Sequence, residues 1–390
     1  MTFEEIKALD EQYVMHSYGR FPVAIDHGKG ATVWDVEGKE YIDFTSGIGV
    51  CSLGHGDEGW VKAVADQAAK LAHISNLYYA EPYVRVAQKL CSRTGMANVM
   101  FGNSGAEANE AMIKLARKWS FDKYGKGRGT IITLHNSFHG RTITTLAATG
   151  QDVFHKDFQP LTTGFVHAKA NDLADVKARL AEHKVAAVMV EIVQGEGGVN
   201  ALDREFVLAL DAFCKKNDVL LCVDEVQTGN GRSGALYAYM NFGIEPDLVS
   251  TAKGLAGGLP IGATLFGAKT ENIFAYSDHG STFGGNPVSC AAALSVIDRI
   301  DDKLLAEVRE KSEYVFKTLT GAKGIESVSG MGLMIGIKTE KPAKELVAKL
   351  IEDGILCLTA KDKLRLLPAL NIPFETLKKA VDRIKAACAE

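Results

Sequence analysis

Two stretches of this chain are apolar without alternation, VAAVMVEIV at Val185–Val193 and VLLCV at Val219–Val223. A strand with one wet face alternates apolar and polar side chains, whereas an unbroken apolar run needs cover on both faces. Both runs therefore read as inner strands of a sheet that carries helices on each side. Five more segments read as strands: Asn98–Phe101, Thr130–Leu134, Gly164–Val166, Asp247–Ser250 and Ala263–Phe266. Helical spacing fills the gaps. After Gly105 the apolar residues Ala108, Ala111, Met112, Leu115, Ala116 and Trp119 fall on one face of a helix. Leu173–His183 and Asp203–Lys216 show the same period. Strand and helix in alternation predict an α/β fold with a mostly parallel, doubly wound sheet of about seven strands.

The two ends of the chain follow another pattern. Residues 1–45 combine a first helix with GATVWDVEGKEYIDF, a hairpin turning at Glu37–Gly38. Residues 285–390 open with the small-residue helix CAAALSVIDRI, continue through the strand-like GLMIGIK and close with the helix FETLKKAVDRIKAA. The expected organisation is a large domain over 46–284 and a smaller α+β domain built from 1–45 and 285–390.

Composition narrows the functional classes. The net charge is −4 and no basic tail or stripe marks a nucleic-acid partner. No apolar run reaches the ~20 residues that span a bilayer, so no membrane association is expected. Seven cysteines, an odd number without a CxxC pair, suit reduced thiols better than a disulfide framework. The acidic, amphipathic MTFEEIKALDEQYVMH does not read as a signal peptide. A soluble cytoplasmic protein is expected.

Four motifs carry candidate chemistry. The run VLLCVDEVQT ends in Asp224, at the edge where parallel sheets gather ligands. A carboxylate there can hold a proton on a ring nitrogen; it can equally cap a helix. Lys253 ends the buried run DLVSTAK and precedes GLAGGLPIGA. Burial lowers a lysine pKa and makes the amine a better nucleophile toward a carbonyl, whereas a snorkelling lysine has no such role. FGNSGAEANEAMIKLARK runs from a strand through Ser104 into a helix, which makes an anion site or an ordinary N-cap with Glu107 as a capping box. HNSFHGRT places Phe138 for stacking and Arg141 for a carboxylate, or forms a polar loop with one packed ring. The sixfold pattern Gly229–Gly234 matches a dinucleotide fingerprint, but DEVQT separates it from its strand. A loop that needs glycine torsions explains it better.

Together these motifs resemble the class III (ornithine-type) aminotransferases of pyridoxal-phosphate fold type I. The resemblance runs from YGRFPVAIDHGKGATVWDVEGKEYIDF through GNSGAEANE, SFHGRT, VEIVQGEGG, DEVQTGNGRSG, TAKGLAGGLPIGA and HGSTFGGNP to the last helix. It implies pyridoxal 5'-phosphate as cofactor and Lys253 as the lysine that bonds it. Asp224 would pair with the ring nitrogen, Val226 and Phe138 would cover the two ring faces, and Gln227 would reach the 3-oxygen. Ser104, Gly105 and Ala106 would hold the phosphate. Thr282 would reach the phosphate of a neighbouring subunit, which implies a homodimer with shared active sites. Arg141 would bind a substrate carboxylate, and Glu196 paired with Arg365 would gate between two substrates, an amino donor and 2-oxoglutarate. Tyr18 and Ser281 would be further substrate contacts.

Within the family, DFTSGIGVCSLGH, with Ile48 in place of a tyrosine, and HISNLYYAEP are similar to the acetylornithine branch. Succinylornithine and 4-aminobutyrate aminotransferases share much of the pattern. A glutamate-1-semialdehyde aminomutase of the same fold is a further alternative, and a non-catalytic pyridoxal-phosphate-binding protein is the one from a different class.

Overall fold

The computed structural model describes all 390 residues. A seven-stranded sheet runs through its centre in the spatial order Asn98–Gly102, Gly262–Phe266, Leu248–Thr251, Leu220–Asp224, Val185–Val190, Thr130–Leu134 and Phe165–Ala168. Gly262–Phe266 pairs antiparallel with both its neighbours, and every other pairing is parallel. All seven expected strands are present, and most ends agree within two residues. The exception is Val185–Val193. The sheet strand stops at Val190, and Val193–Gln194 turns away to pair with Asn200–Ala201. Apolarity hid that break, because Ile192 and Val193 are buried as fully as the strand itself.

Cover on both faces explains the unbroken runs. Every residue of Val185–Val190 and of Leu220–Asp224 is buried, and burying an aliphatic side chain of this size contributes about 1.5–3 kcal/mol. The helix Gly105–Tyr124 supplies one cover. It buries Ala108, Ala111, Met112, Leu115, Ala116 and Trp119, the face read from the sequence, and ends at Gly125 with φ +73°.

The chain ends come together in one small sheet, and the C-terminal part alone builds a second. Thr32–Asp35 and Glu40–Asp43 form the expected hairpin, in which Gly38 takes φ +87° and Asp35 accepts from the amides of Glu37 and Lys39. Glu40–Asp43 then takes Ile355–Leu356 as a parallel neighbour. A second sheet, Ile325–Met331, Met334–Thr339, Lys363–Leu366 and Leu358–Ala360, is antiparallel throughout. The small-residue helix Pro287–Ile297 packs instead on the helices Glu58–Lys70 and Glu81–Thr94. No helix is long and apolar enough to cross a membrane.

The parallel strands all end at one edge. The loops that leave Gly102, Leu134, Val190, Asp224 and Thr251 converge there, and they carry nearly every residue of the site.

Candidate active site

Those loops line a cavity of about 410 Å³, within the range of small-molecule sites. Its walls include Ser104, Gly105, Ala106, Phe138, Arg141, Asp224, Val226, Gln227 and Lys253. Residues far apart in the sequence are thus brought onto one cavity.

Asp224 lies at its floor, 3% exposed. Oδ2 accepts from Asn109 Nδ2 at 2.8 Å and lies 2.8 Å from His139 Nδ1, while Oδ1 accepts from the Val226 amide at 3.0 Å. A carboxylate has about four acceptor positions, so one remains for a donor inside the cavity. Asn109 also donates to the His139 carbonyl and accepts from Ser250, which fixes the group on three strand ends. Asn109 and His139 had no role in the sequence reading. Both stood inside its motifs, but only the strand order brings them to Asp224.

Lys253 begins a single turn after its strand, at φ +42°. That torsion is uncommon for a residue with a side chain and costs on the order of 1 kcal/mol. Neighbours hold it. Asn230 Nδ2 donates to Thr251 Oγ1 and to the Ala252 carbonyl, and Ser52 Oγ donates to the Gly254 carbonyl. The glycine-rich Gly229–Gly234 therefore forms turns that brace the lysine, with Gly231 and Gly234 at positive φ, and it opens no helix. Burial lowers the Lys253 pKa; Glu196 opposes that shift and Arg365 adds to it.

The helix start at Gly105 supplies an anion site. Ser104 caps it by accepting from the Glu107 amide. The capping box differs from expectation. The Glu107 carboxylate reaches Asn103, backbone and side chain, rather than the Ser104 amide, and it also accepts from the Ser104 hydroxyl. The amides of Gly105 and Ala106 have no carbonyl one turn back, as at any helix start. Gly105 is pressed against Val226, where an added Cβ would lie 2.6 Å from Val226 Cγ1.

The Arg141 guanidinium sits 4.5 Å from the Phe154 ring and 5.4 Å from the Phe138 ring, and the two rings meet edge-on. Cation–π contact of this kind steadies an exposed arginine. Phe154 is another residue without a sequence-level signal. Arg365, 3% exposed, donates to Glu196 and, at 3.3 Å, to Gln227 Oε1. Burial pushes the Glu196 carboxyl up, but the Arg365 charge and hydrogen bond outweigh it and hold the pKa low. This pair meets the cavity through Gln227.

Besides Glu196 and Arg365, three expected residues lie off the cavity wall. Ser281 accepts from Asn103 and Gly284 beside the helix start. Thr282 is exposed on a separate surface pocket with Tyr78 and Tyr79. Tyr18 is 75% exposed in the N-terminal segment. Their own chain brings none of the three onto the cavity wall.

The donor set fits pyridoxal phosphate. A buried carboxylate with a spare acceptor position suits a protonated ring nitrogen. Gly105 and Ala106 amides suit a phosphate, and an amine without a carboxylate partner suits an aldehyde.

Comparison with known proteins agrees. Residues 13–388 match the family model described as Aminotransferase class-III. The acetylornithine aminotransferase of Haemophilus ducreyi is 50% identical, over 100% of this chain and 100% of its own length. That of Aquifex aeolicus is 46% identical, over 96% and 99%. Among solved structures, the ornithine aminotransferase from Toxoplasma gondii superposes with a TM-score of 0.95 at 32% identity, covering 100% of this chain and 95% of its own. A second structure of that protein shows partial occupancy of PLP at the active site. The N-acetylornithine aminotransferase from Stenotrophomonas maltophilia gives 0.84 at 34% identity, covering 98% of each chain.

Proposed function

The chain belongs to the class III aminotransferases, and from that premise we propose that it moves the δ-amino group of N-acetylornithine to 2-oxoglutarate. The products are N-acetylglutamate semialdehyde and glutamate, and the step serves arginine biosynthesis. The enzyme is a pyridoxal-phosphate-dependent transaminase. Bound pyridoxal phosphate supplies an electron sink for negative charge on the carbon that bears the nitrogen.

The chain's own groups do the rest. Asp224, oriented by Asn109 and His139, keeps the proton at the ring nitrogen. The Lys253 amine, its pKa lowered by burial, takes a proton from the reacting carbon and returns it as general base and acid. Phe138 and Val226 would hold the ring between them, and Gln227 would hydrogen-bond its 3-oxygen. Ser104, Gly105 and Ala106 anchor the phosphate.

One observation carries the substrate reading. Arg141 lines the cavity and stands exposed, while Arg365, already neutralised by Glu196, lies behind Gln227. A donor with a single distal carboxylate needs only Arg141. Glutamate and 2-oxoglutarate carry two carboxylates, and the second recruits Arg365 once Glu196 releases it.

Three features support a homodimer with shared sites. The N-terminal helix Phe3–Tyr13 buries no residue of its own, Thr282 lies exposed off the cavity in a surface pocket with Tyr78 and Tyr79, and Leu77 and Phe283 are exposed too. Seven unpaired cysteines support a reducing compartment such as the cytoplasm. Initial rates with acetylornithine, succinylornithine, ornithine and 4-aminobutyrate, each against 2-oxoglutarate, test the reading. Acetylornithine is expected to give the highest kcat/KM; dominance of 4-aminobutyrate would overturn it.

A further inference from the structure

Glu191 follows the strand Val185–Val190, lines the cavity and is 6% exposed. No arginine or lysine pairs with it. Its Oε2 accepts from the Phe138 amide at 2.9 Å, and its Oε1 accepts from the Gly195 amide at 3.4 Å. One carboxylate thus ties together two loops that leave different strands. The same seam is reinforced nearby. Gln194 Nε2 donates to the His135 carbonyl at 2.9 Å. Gly197 packs so tightly on the first loop that an added Cβ would lie 2.2 Å from the Asn136 carbonyl oxygen. The first loop carries Phe138 and Arg141; the second carries Glu196.

We propose that Glu191 is a positioning residue that clips the Arg141 loop to the Glu196 loop, so that the groups reading the two ends of a substrate keep one spacing. The catalytic consequence rests on the carboxylate roles proposed above. The mechanical link between the loops does not.

The charges around Glu191 give the clip a pH dependence. Burial pushes its carboxyl up to about 7, His139 opposes that shift and Asp224 adds to it. Lys253, on the same cavity, also senses its charge. Above that pH both oxygens accept from the two amides. Below it one oxygen carries a proton and faces an N–H donor, so the seam loosens.

Glu191→Gln in the holoenzyme tests this, read by hydrogen–deuterium exchange and by KM across pH 6 to 8.5. Exchange should quicken about tenfold in residues 135–141 and 194–198 together, the scale of one lost buried hydrogen bond. Exchange in the helix Gly105–Tyr124 should not change. KM for donor and acceptor should both rise while kcat changes less. The wild-type rise in KM toward pH 6 should be absent from the variant. Unchanged exchange, a response in one loop only, or a retained pH step would overturn the proposal.

Should that variant not fold, Gln194→Leu serves. It should quicken exchange in both loops and keep the pH step; unchanged exchange again overturns the clip. Arg141→Lys separates the two readings. If KM does not respond to that change, the carboxylate role of Arg141 fails, while coupled exchange in Glu191→Gln still upholds the link.

Discussion

His139 Nδ1 and Asp224 Oδ2 meet at 2.8 Å in an interior where their side chains are 0% and 4% exposed. The imidazole and Asn109 share that one oxygen, which leaves the other to Val226 and to the cavity. His139→Leu removes one of three bonds to a buried carboxylate. A hydrogen bond to a charged group contributes about 1.5–3 kcal/mol, so kcat is expected to fall about 10- to 100-fold. Far-UV circular dichroism should match the wild type. A kcat within a factor of about two would mean that Asp224 needs no support from the imidazole.

Arg365 is buried against Glu196 and Gln227. Glu196→Ala leaves the guanidinium uncompensated and free for a carboxylate. KM for the N-acylated donor should rise by about tenfold, equivalent to about 1.4 kcal/mol. KM for glutamate should stay level or fall. Parallel changes for both substrates would remove the gate from the account.

Gly105 touches Val226 so closely that Gly105→Ala must displace one of them. The helix start and its amides should shift, and cofactor affinity, read by equilibrium dialysis of pyridoxal phosphate, should fall. Adding Val226→Ala opens the space and should restore part of the loss. A double variant no better than the single one would place the damage elsewhere.

The sheet was legible because its signal is local. Runs such as VLLCV and TIITL carry their burial in their own composition, and the structure places both as inner strands. The break after Val190 was not legible, since buried residues continue past the point where sheet pairing stops. Lys253 and Asp224 could be picked out by their position after buried strands. Asn109, His139 and Glu191 could not. Their importance lies in contacts between Val185–Val190, Leu220–Asp224 and the helix at Gly105, which depend on strand order. Tyr18 and Thr282 mark the opposite limit: both were singled out, and neither reaches the cavity within this chain.

His55 Nε2 lies 2.8 Å from Asp43 Oδ2. The hydrogen bond to Asp43, with help from Cys51 and against burial, raises the His55 pKa to about 10. The folded value thus exceeds the ordinary one of about 6.5. The pair's stabilisation is therefore complete below about pH 6.5 and is lost as pH rises through about 10. Urea midpoints at pH 6.5, 8 and 10 should decline more steeply for the wild type than for His55→Asn. Equal slopes would show that the pair does not titrate in that window.

The account depends most on the amine at position 253. The purified protein, loaded with pyridoxal phosphate and reduced with borohydride, can be digested and mapped by mass spectrometry. A phosphopyridoxyl group is expected on the peptide that contains Lys253, and its yield should fall to background in Lys253→Ala. Label on another lysine, or none above background in the wild type, would contradict the assignment of this cavity.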